Sequence, residues 1–239
     1  KDEQVQNLEN IKHKPVREIL KYFKIKNGLE VHYDGDIPAR TGVGSSSAFV
    51  VGFLNSIMTL NKKNITKKNL AKKSIFLETK VLDEVVGSQD QIACAVGGFN
   101  NIKFLKNGSF QIKKIKLKSH KKNMLENNLF LVYSKIQRTA EIIAKSFVNN
   151  LSEKKFKEMQ QINAIVKEAK IELQSNNINN FGKLLHESWQ IKRNLSQKVS
   201  NNKIDELYNH ALESGAEGGK LLGAGGGGFF VFYVKRNKQ

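Results

Sequence analysis

Pro38-Ala39-Arg40-Thr41-Gly42-Val43-Gly44-Ser45-Ser46-Ser47-Ala48 governs how the rest of this 239-residue chain is read, because of what flanks it. Ahead of it, Leu29, Val31 and Tyr33 alternate with Glu30, His32 and Asp34, the period of a half-buried strand. Behind it, Ala48, Phe49, Val50, Val51, Phe53, Leu54, Ile57 and Met58 predict a helix apolar on most of its circumference, hence buried. A glycine loop that follows a strand and opens a buried helix is a place to hold an anion. Glycine lets the backbone come close, the first amides of the helix point outward, and the helix dipole adds partial positive charge. The hydroxyls of Ser45, Ser46 and Ser47 can bond phosphate oxygens or ligate magnesium. A bare Gly-x-Gly also fits a serine-capped helix after a glycine turn, so the loop alone leaves both readings open. Two better-known phosphate loops are excluded. There is no Gly-Lys-Ser/Thr here, and around Gly219-Lys220 the first glycine is Ser214 and Leu221 replaces the hydroxyl. The dinucleotide fingerprint lacks its third glycine.

Working outward, Pro15 opens a short helix with apolar Val16, Ile19, Leu20 and Phe23, ended by Asn27-Gly28. Thr66 is placed to cap another, carrying Leu70, Ile75, Leu77 and Val81. Asn107-Gly108 lies between Ile102-Lys103-Phe104 and Phe110-Gln111-Ile112, which predicts a hairpin with a type I′ turn. The Lys113-Lys114 doublet predicts a bulge or a strand end. The polar stretch Ser119 to Asn128 reads as a linker. Beyond it come a strand (Leu129 to Tyr133), helices over residues 139–149, 152–174, 180–196 and 203–213, and a last strand from Phe229 to Val234.

Composition limits the functions available. At 39% hydrophobic and 26% charged, the chain can build a core, and its best apolar run, Ala48 to Leu54, is broken by Asn55 and is far too short to span a membrane. The net charge of +18 invites a nucleic-acid reading. Of the 40 basic residues, however, only Arg17, Arg40, Arg138, Arg193 and Arg236 are arginines, the type suited to bidentate phosphate and base recognition. The 35 lysines are spread over the whole chain, as a general compositional bias would spread them. The single cysteine, Cys94, stands among Ile92, Ala93, Ala95 and Val96 and reads as a small core residue. No secretory leader is seen and there is no initiator Met, so cytoplasm is the default reading.

Pro38 to Ala48 resembles the phosphate-binding motif Pro-x-x-x-Gly-Leu-Gly-Ser-Ser-Ala of the GHMP kinases, with Val43 in place of Leu. Gly87-Ser88-Gln89-Asp90-Gln91 resembles the central aspartate segment of that family. Leu222-Gly223-Ala224-Gly225-Gly226-Gly227-Gly228-Phe229 resembles its C-terminal glycine motif. Three motifs in family order are specific together. Within the family, Gly87 to Asn100, Asp36 to Arg40 and His186-Glu187-Ser188-Trp189 are most similar to D-glycero-D-manno-heptose 7-phosphate kinases.

The resemblance implies an α+β, two-lobed GHMP kinase fold: a ribosomal protein S5 domain 2-like N-terminal lobe over residues 1–122 and a ferredoxin-like C-terminal lobe over 123–239. Both lobes are expected to be incomplete, the chain truncated at both ends. It implies ATP and Mg2+ as cofactors and a sugar or sugar phosphate as acceptor, most closely the anomeric hydroxyl of D-glycero-D-manno-heptose 7-phosphate, giving the 1,7-bisphosphate. A fucokinase- or galactokinase-like enzyme is the alternative, and a basic RNA-binding module the runner-up from another class. No nucleic-acid or membrane partner is expected, and oligomeric state is not readable.

Roles follow by the same resemblance. Gly42, Val43, Gly44, Ser45, Ser46 and Ser47 face the ATP phosphates, and Ser46 with Glu78 holds magnesium. Glu78 lies 12 residues before Asp90, a separation like that between the family's metal-binding Glu and catalytic Asp. Asp90 is the general base, or the carboxylate that orients the acceptor hydroxyl. Arg138 faces the sugar phosphate, and Gly223, Ala224, Gly225, Gly226 and Gly227 shape the active site. Each has a plainer reading: Glu78 an exposed helix carboxylate, Asp90 a structural hydrogen-bonding group, Arg138 a surface arginine at a helix start, the glycine run a flexible loop before a strand. Trp189 reads as core, and His13, His186 and His210 have no metal-ligand spacing.

Overall fold

A computed structural model describes residues 3–26, 28–37, 41–137, 143, 153–175 and 178–238. The chain divides into two compact units, one of Lys1–Ala39 with Gly44–Gly98, the other of Arg40–Val43 with Phe99–Gln239. The expected division at 122/123 therefore falls inside the second unit.

The first unit is helical among the described residues. Helix α1 (Lys14–Tyr22) carries Pro15 in its first turn, with the His13 side chain accepting the Val16 N–H, and buries Ile19 and Leu20. Helix α2 (Ser45–Leu60) buries Val50, Val51, Phe53, Leu54 and Ile57, as its apolar circumference requires. Thr66 caps α3 (Lys67–Phe76), its hydroxyl accepting the Asn69 N–H at 3.3 Å. Helix α3 runs on into a π-helical turn, Leu77–Val81, closed by Leu82 N–H to the Leu77 carbonyl at 2.8 Å. Helix α4 (Gln89–Val96) packs against α2 and α3 and stops at Gly97, whose φ of 69° ends the helix cheaply only for glycine. The strand expected from Leu29 to Tyr33 is not formed. No strand pairs with this segment among the described residues, and without a ladder its alternation buries nothing: Leu29, Val31 and Tyr33 are 40%, 41% and 61% exposed.

The second unit opens with the expected hairpin, β1 (Asn100–Phe104) antiparallel to β2 (Phe110–Lys114), Ile102 opposite Ile112. Its turn is not type I′. Gly108 alone takes positive φ (76°), and Asn107 uses its side-chain oxygen to accept the Ser109 N–H and hydroxyl at 3.0 and 2.7 Å. Ser119–Asn128, expected as a linker, is helix α5, anchored by buried Leu125 and by Asn128, which donates to the Tyr233 hydroxyl at 3.0 Å. A three-stranded antiparallel sheet follows in the order β3 (Leu129–Tyr133), β5 (Phe229–Tyr233), β4 (Gly218–Leu221).

Helices α6 (Glu153–Gln174), α7 (Phe181–Asn194) and α8 (Asn202–Glu213) complete the unit. Trp189, Tyr208, Leu221, Phe230 and Phe232 form its main core. Strand β4 escapes sequence reading because half of it is glycine, a residue depleted in strands. Packing explains both glycines: a Cβ on Gly219 would lie 2.4 Å from the Phe232 ring, and one on Gly218 would lie 2.0 Å from the Gly182 carbonyl oxygen. The expected helix over 139–149 lies largely outside the described residues. Among those described, no helix is long and apolar enough to cross a membrane.

Candidate active site

The glycine loop ends with Gly44 in the left-handed region (φ 78°), serving as N-cap of α2. Intrahelical bonding begins with Ala48 N–H to the Gly44 carbonyl at 2.9 Å, so the amides of Ser45, Ser46 and Ser47 have no acceptor within the helix. Gly42 is also left-handed, φ 82°. These are the amides an anion would take. Pro38, Ala39 and Arg40 lie outside the described residues, as does Arg138.

Asp90 sits in the first turn of α4, where a helix dipole favours a carboxylate. It lies against the loop: a Cβ on Gly44 would be 3.4 Å from the Asp90 carboxyl carbon. Burial pushes its pKa above the usual carboxylate range. Glu78, on the π-helical turn, is fully buried, not the exposed helix carboxylate of the plainer reading. Its Oε2 accepts from Ser47 Oγ at 3.1 Å and from Gln91 Nε2, while its Oε1 has no hydrogen-bond partner. Burial drives its pKa up to about 7. The Ser47 and Gln91 hydrogen bonds oppose that rise, and the negative charges of Glu84 and Asp90 add to it.

The hydroxyl that meets Glu78 is that of Ser47, not Ser46: Ser47 is 6% exposed, whereas Ser46 is exposed at the helix start. Ser47 stands where the motif written above has Ala. Cys94, one helical turn after Asp90, is exposed, not core as its neighbours suggested. Partial burial, then the charges of Asp90 and Glu78, raise its thiol pKa, so it is a poor nucleophile.

Within the second unit the glycine run is pinned rather than loose. Gly226 N–H donates to the Val199 carbonyl at 2.7 Å, and Gly228 N–H to the Ile136 carbonyl at 2.9 Å. Gly223 accepts from Lys192 Nζ through its carbonyl, and Ala224 packs on the aromatic core. A Cβ on Gly225 would lie 2.8 Å from Val199, and one on Gly227 would lie 2.5 Å from the Ile136 oxygen. At the end of the run, Phe229 N–H donates to the Thr41 carbonyl at 2.9 Å, and a Cβ on Gly228 would stand 2.1 Å from that oxygen. The structure thus brings the glycine run to the residue that precedes Gly42.

Among the described residues there is no group of three His, Cys, Asp or Glu side chains that could hold a metal ion. Of the buried carboxylate oxygens without a partner among the described residues, at Glu78, Glu158 and Glu217, that of Glu78, whose other oxygen takes the Ser47 hydroxyl of α2, suits a magnesium ion, which takes one or two protein carboxylates and draws its other oxygens from phosphate and water. Sequence reasoning gave Gln91 no role. Its position next to Asp90 on a helix that buries Gln91, Ile92 and Ala95 was the available signal.

Residues 11–98 match the GHMP kinases N terminal domain and residues 169–239 match GHMP kinases C terminal. The chain belongs to the GHMP kinase family and has its α+β fold. It is 29% identical over 214 residues to the D-glycero-alpha-D-manno-heptose 7-phosphate kinase of Campylobacter jejuni, covering 88% of this chain and 62% of that protein. To the galactokinase of Pyrococcus furiosus it is 28% identical over 237 residues, covering 88% of this chain and 66% of that one. The crystal structure of a D-glycero-D-manno-heptose 1-phosphate kinase from Bacteriodes thetaiotaomicron superposes with a TM-score of 0.69 at 23% identity, covering 94% of this chain and 63% of that chain.

Proposed function

We propose that the protein carrying this chain is an ATP-dependent sugar kinase that phosphorylates a heptose phosphate, D-glycero-D-manno-heptose 7-phosphate being the acceptor and its anomeric hydroxyl the nucleophile. The observation that carries the reading is the half-buried Asp90 carboxylate set against Gly44, at the start of the helix whose first three amides have no internal acceptor. Phosphoryl transfer needs positioning and charge neutralisation more than covalent chemistry. The amides of Ser45, Ser46 and Ser47 would bind phosphate oxygens, and Asp90 would accept or orient the acceptor proton. Glu78 Oε1, with the Ser46 hydroxyl, would hold the Mg2+, which neutralises the charge of the transferring phosphate. The glycine run would keep Thr41, and so the entry to the loop, in place, while Arg138 would face the sugar phosphate. A cytoplasmic location belongs to the same reading.

The heptose assignment is supported by the 29% identity to the Campylobacter jejuni enzyme; the galactokinase similarity favours a neutral sugar as the second reading. A substrate panel on the complete protein separates them: phosphate transfer to the heptose 7-phosphate is expected, and transfer confined to galactose or fucose would overturn the heptose assignment. Asp90→Asn tests the chemistry. It should leave folding and ATP binding near normal and lower turnover by about 100-fold or more, as loss of a general base does. Turnover within about twofold of wild type would make the carboxylate structural.

A further inference from the structure

The carboxylate of Glu78 is used asymmetrically. Both hydrogen bonds it receives, from Ser47 Oγ and Gln91 Nε2, go to Oε2, and Oε1 receives none, although the residue is fully buried. Glu158 and Glu217 also keep one buried oxygen without a partner, but Glu217 is neutralised through its other oxygen by Lys235 at 2.5 Å; among the described residues no cation is paired with Glu78, and an unmet acceptor in low dielectric is costly. Two donors on one oxygen fix the plane and rotation of the group and leave the other oxygen as the single open acceptor.

The donors come from the two elements that carry the rest of the site. Ser47 lies in the first turn of α2, where its amide is one of the three that would take phosphate and its hydroxyl is turned to Glu78, and Gln91 follows Asp90 on α4. Gln91 has no second anchor: its own Oε1 is buried and without a partner, so its amide is oriented by Glu78 alone. It is itself 0% exposed, and a core position there would be filled at lower cost by Leu or Met.

We propose that Ser47 and Gln91 are positioning residues that hold Glu78 with Oε2 occupied and Oε1 presented to a divalent cation. This rests on the kinase reading above, in which Glu78 is a magnesium ligand. Neither side chain touches nucleotide or acceptor in this role. They act through the metal ligand, as partners that orient ligands generally do, at about 10–100-fold in metal affinity when removed.

The test is made on the complete protein with a non-hydrolysable ATP analogue, titrated by calorimetry without metal and again with Mg2+ or Mn2+. Wild type should bind the analogue more tightly with the cation. In Gln91→Leu, affinity for the metal-free analogue should stay within about twofold, and in both Gln91→Leu and Ser47→Ala the cation concentration at half effect should rise about 10-fold or more. The double variant should lose less than the product of the two single losses, since both donors serve one oxygen. Should Gln91→Leu fail to fold, Gln91→Met, closer in shape to Gln, carries the same expectation beside Ser47→Ala. Unchanged cation dependence in folded single variants, with a wild type that responds to the cation, overturns the inference and leaves the kinase reading standing. A wild type that binds the analogue equally well with and without cation removes the metal role of Glu78, and the inference goes with it.

Discussion

Glu78 is the residue whose surroundings have the clearest thermodynamic consequence. Its pKa is raised from 4.5 to about 7, chiefly by burial, so the folded chain holds a proton there more tightly than the unfolded chain. Stability from this group is present in full below about pH 4.5 and is lost as the pH rises through about 7. At about 1.4 kcal/mol per pH unit, the loss is on the order of 3 kcal/mol. Urea unfolding of metal-free protein should show wild type losing that much more stability than Glu78→Gln between pH 5 and 8. Parallel pH profiles would mean the carboxylate is not held neutral by burial. Asp90, raised in the same direction and for the same reason, leaves a smaller residual slope in the variant.

At the scale of elements, the glycine run and the hairpin turn use the same residue for different physical ends. Gly108 needs only its positive φ: a Cβ there meets nothing within 4 Å, so Gly108→Ala should cost about 1 kcal/mol. Gly228 has positive φ as well, but a Cβ would stand 2.1 Å from the Thr41 oxygen, and Gly228→Ala should cost several times more when the two variants are compared by thermal unfolding. Equal losses would show the contact with Thr41 to be slack. Much of this level was legible in the sequence. Helices α2, α3 and α8 follow from periodicity and caps, and β3 and β5 from runs of apolar residues. Helix α5 was not, because Met124 and Leu125 are the only apolar residues in it and one buried leucine makes no period. Strand β4 was hidden by glycines chosen for close approach, and the Leu29 to Tyr33 alternation misled because a strand exists only with a partner. For the site, the loop and Asp90 were visible as motifs. Burial of Glu78 was not read: Leu70, Ser74 and Glu78 recur every four residues along one buried face, but an acidic side chain at the end of that row reads as exposed. The partnership with Ser47 and Gln91 needed three dimensions.

At the scale of the molecule, a net charge of +18 coexists with an open sheet edge. Among the described residues no strand lies outside β3, and its Phe130, Leu131 and Val132 are 41%, 61% and 44% exposed. Such an edge pairs with another chain when charge no longer keeps copies apart. The 239-residue chain should therefore scatter more light as salt is raised and the Debye length falls from about 10 Å at 0.1 M to about 3 Å at 1 M. Leu131→Lys should suppress that rise while barely moving the melting temperature; scattering unchanged by the substitution would place the self-association elsewhere. The division of the chain has a different kind of consequence. Residues 40–43 are interleaved, counted with the second unit although the chain on either side of them belongs to the first. A gene that inherited only the portion encoding residues 99–239 would make a sheet whose Phe229 amide lacks the Thr41 carbonyl it now uses. The two halves are for that reason poor currency for recombination: neither can be exchanged between relatives by a single crossover without carrying the loop, or a substitute for it, from the other side.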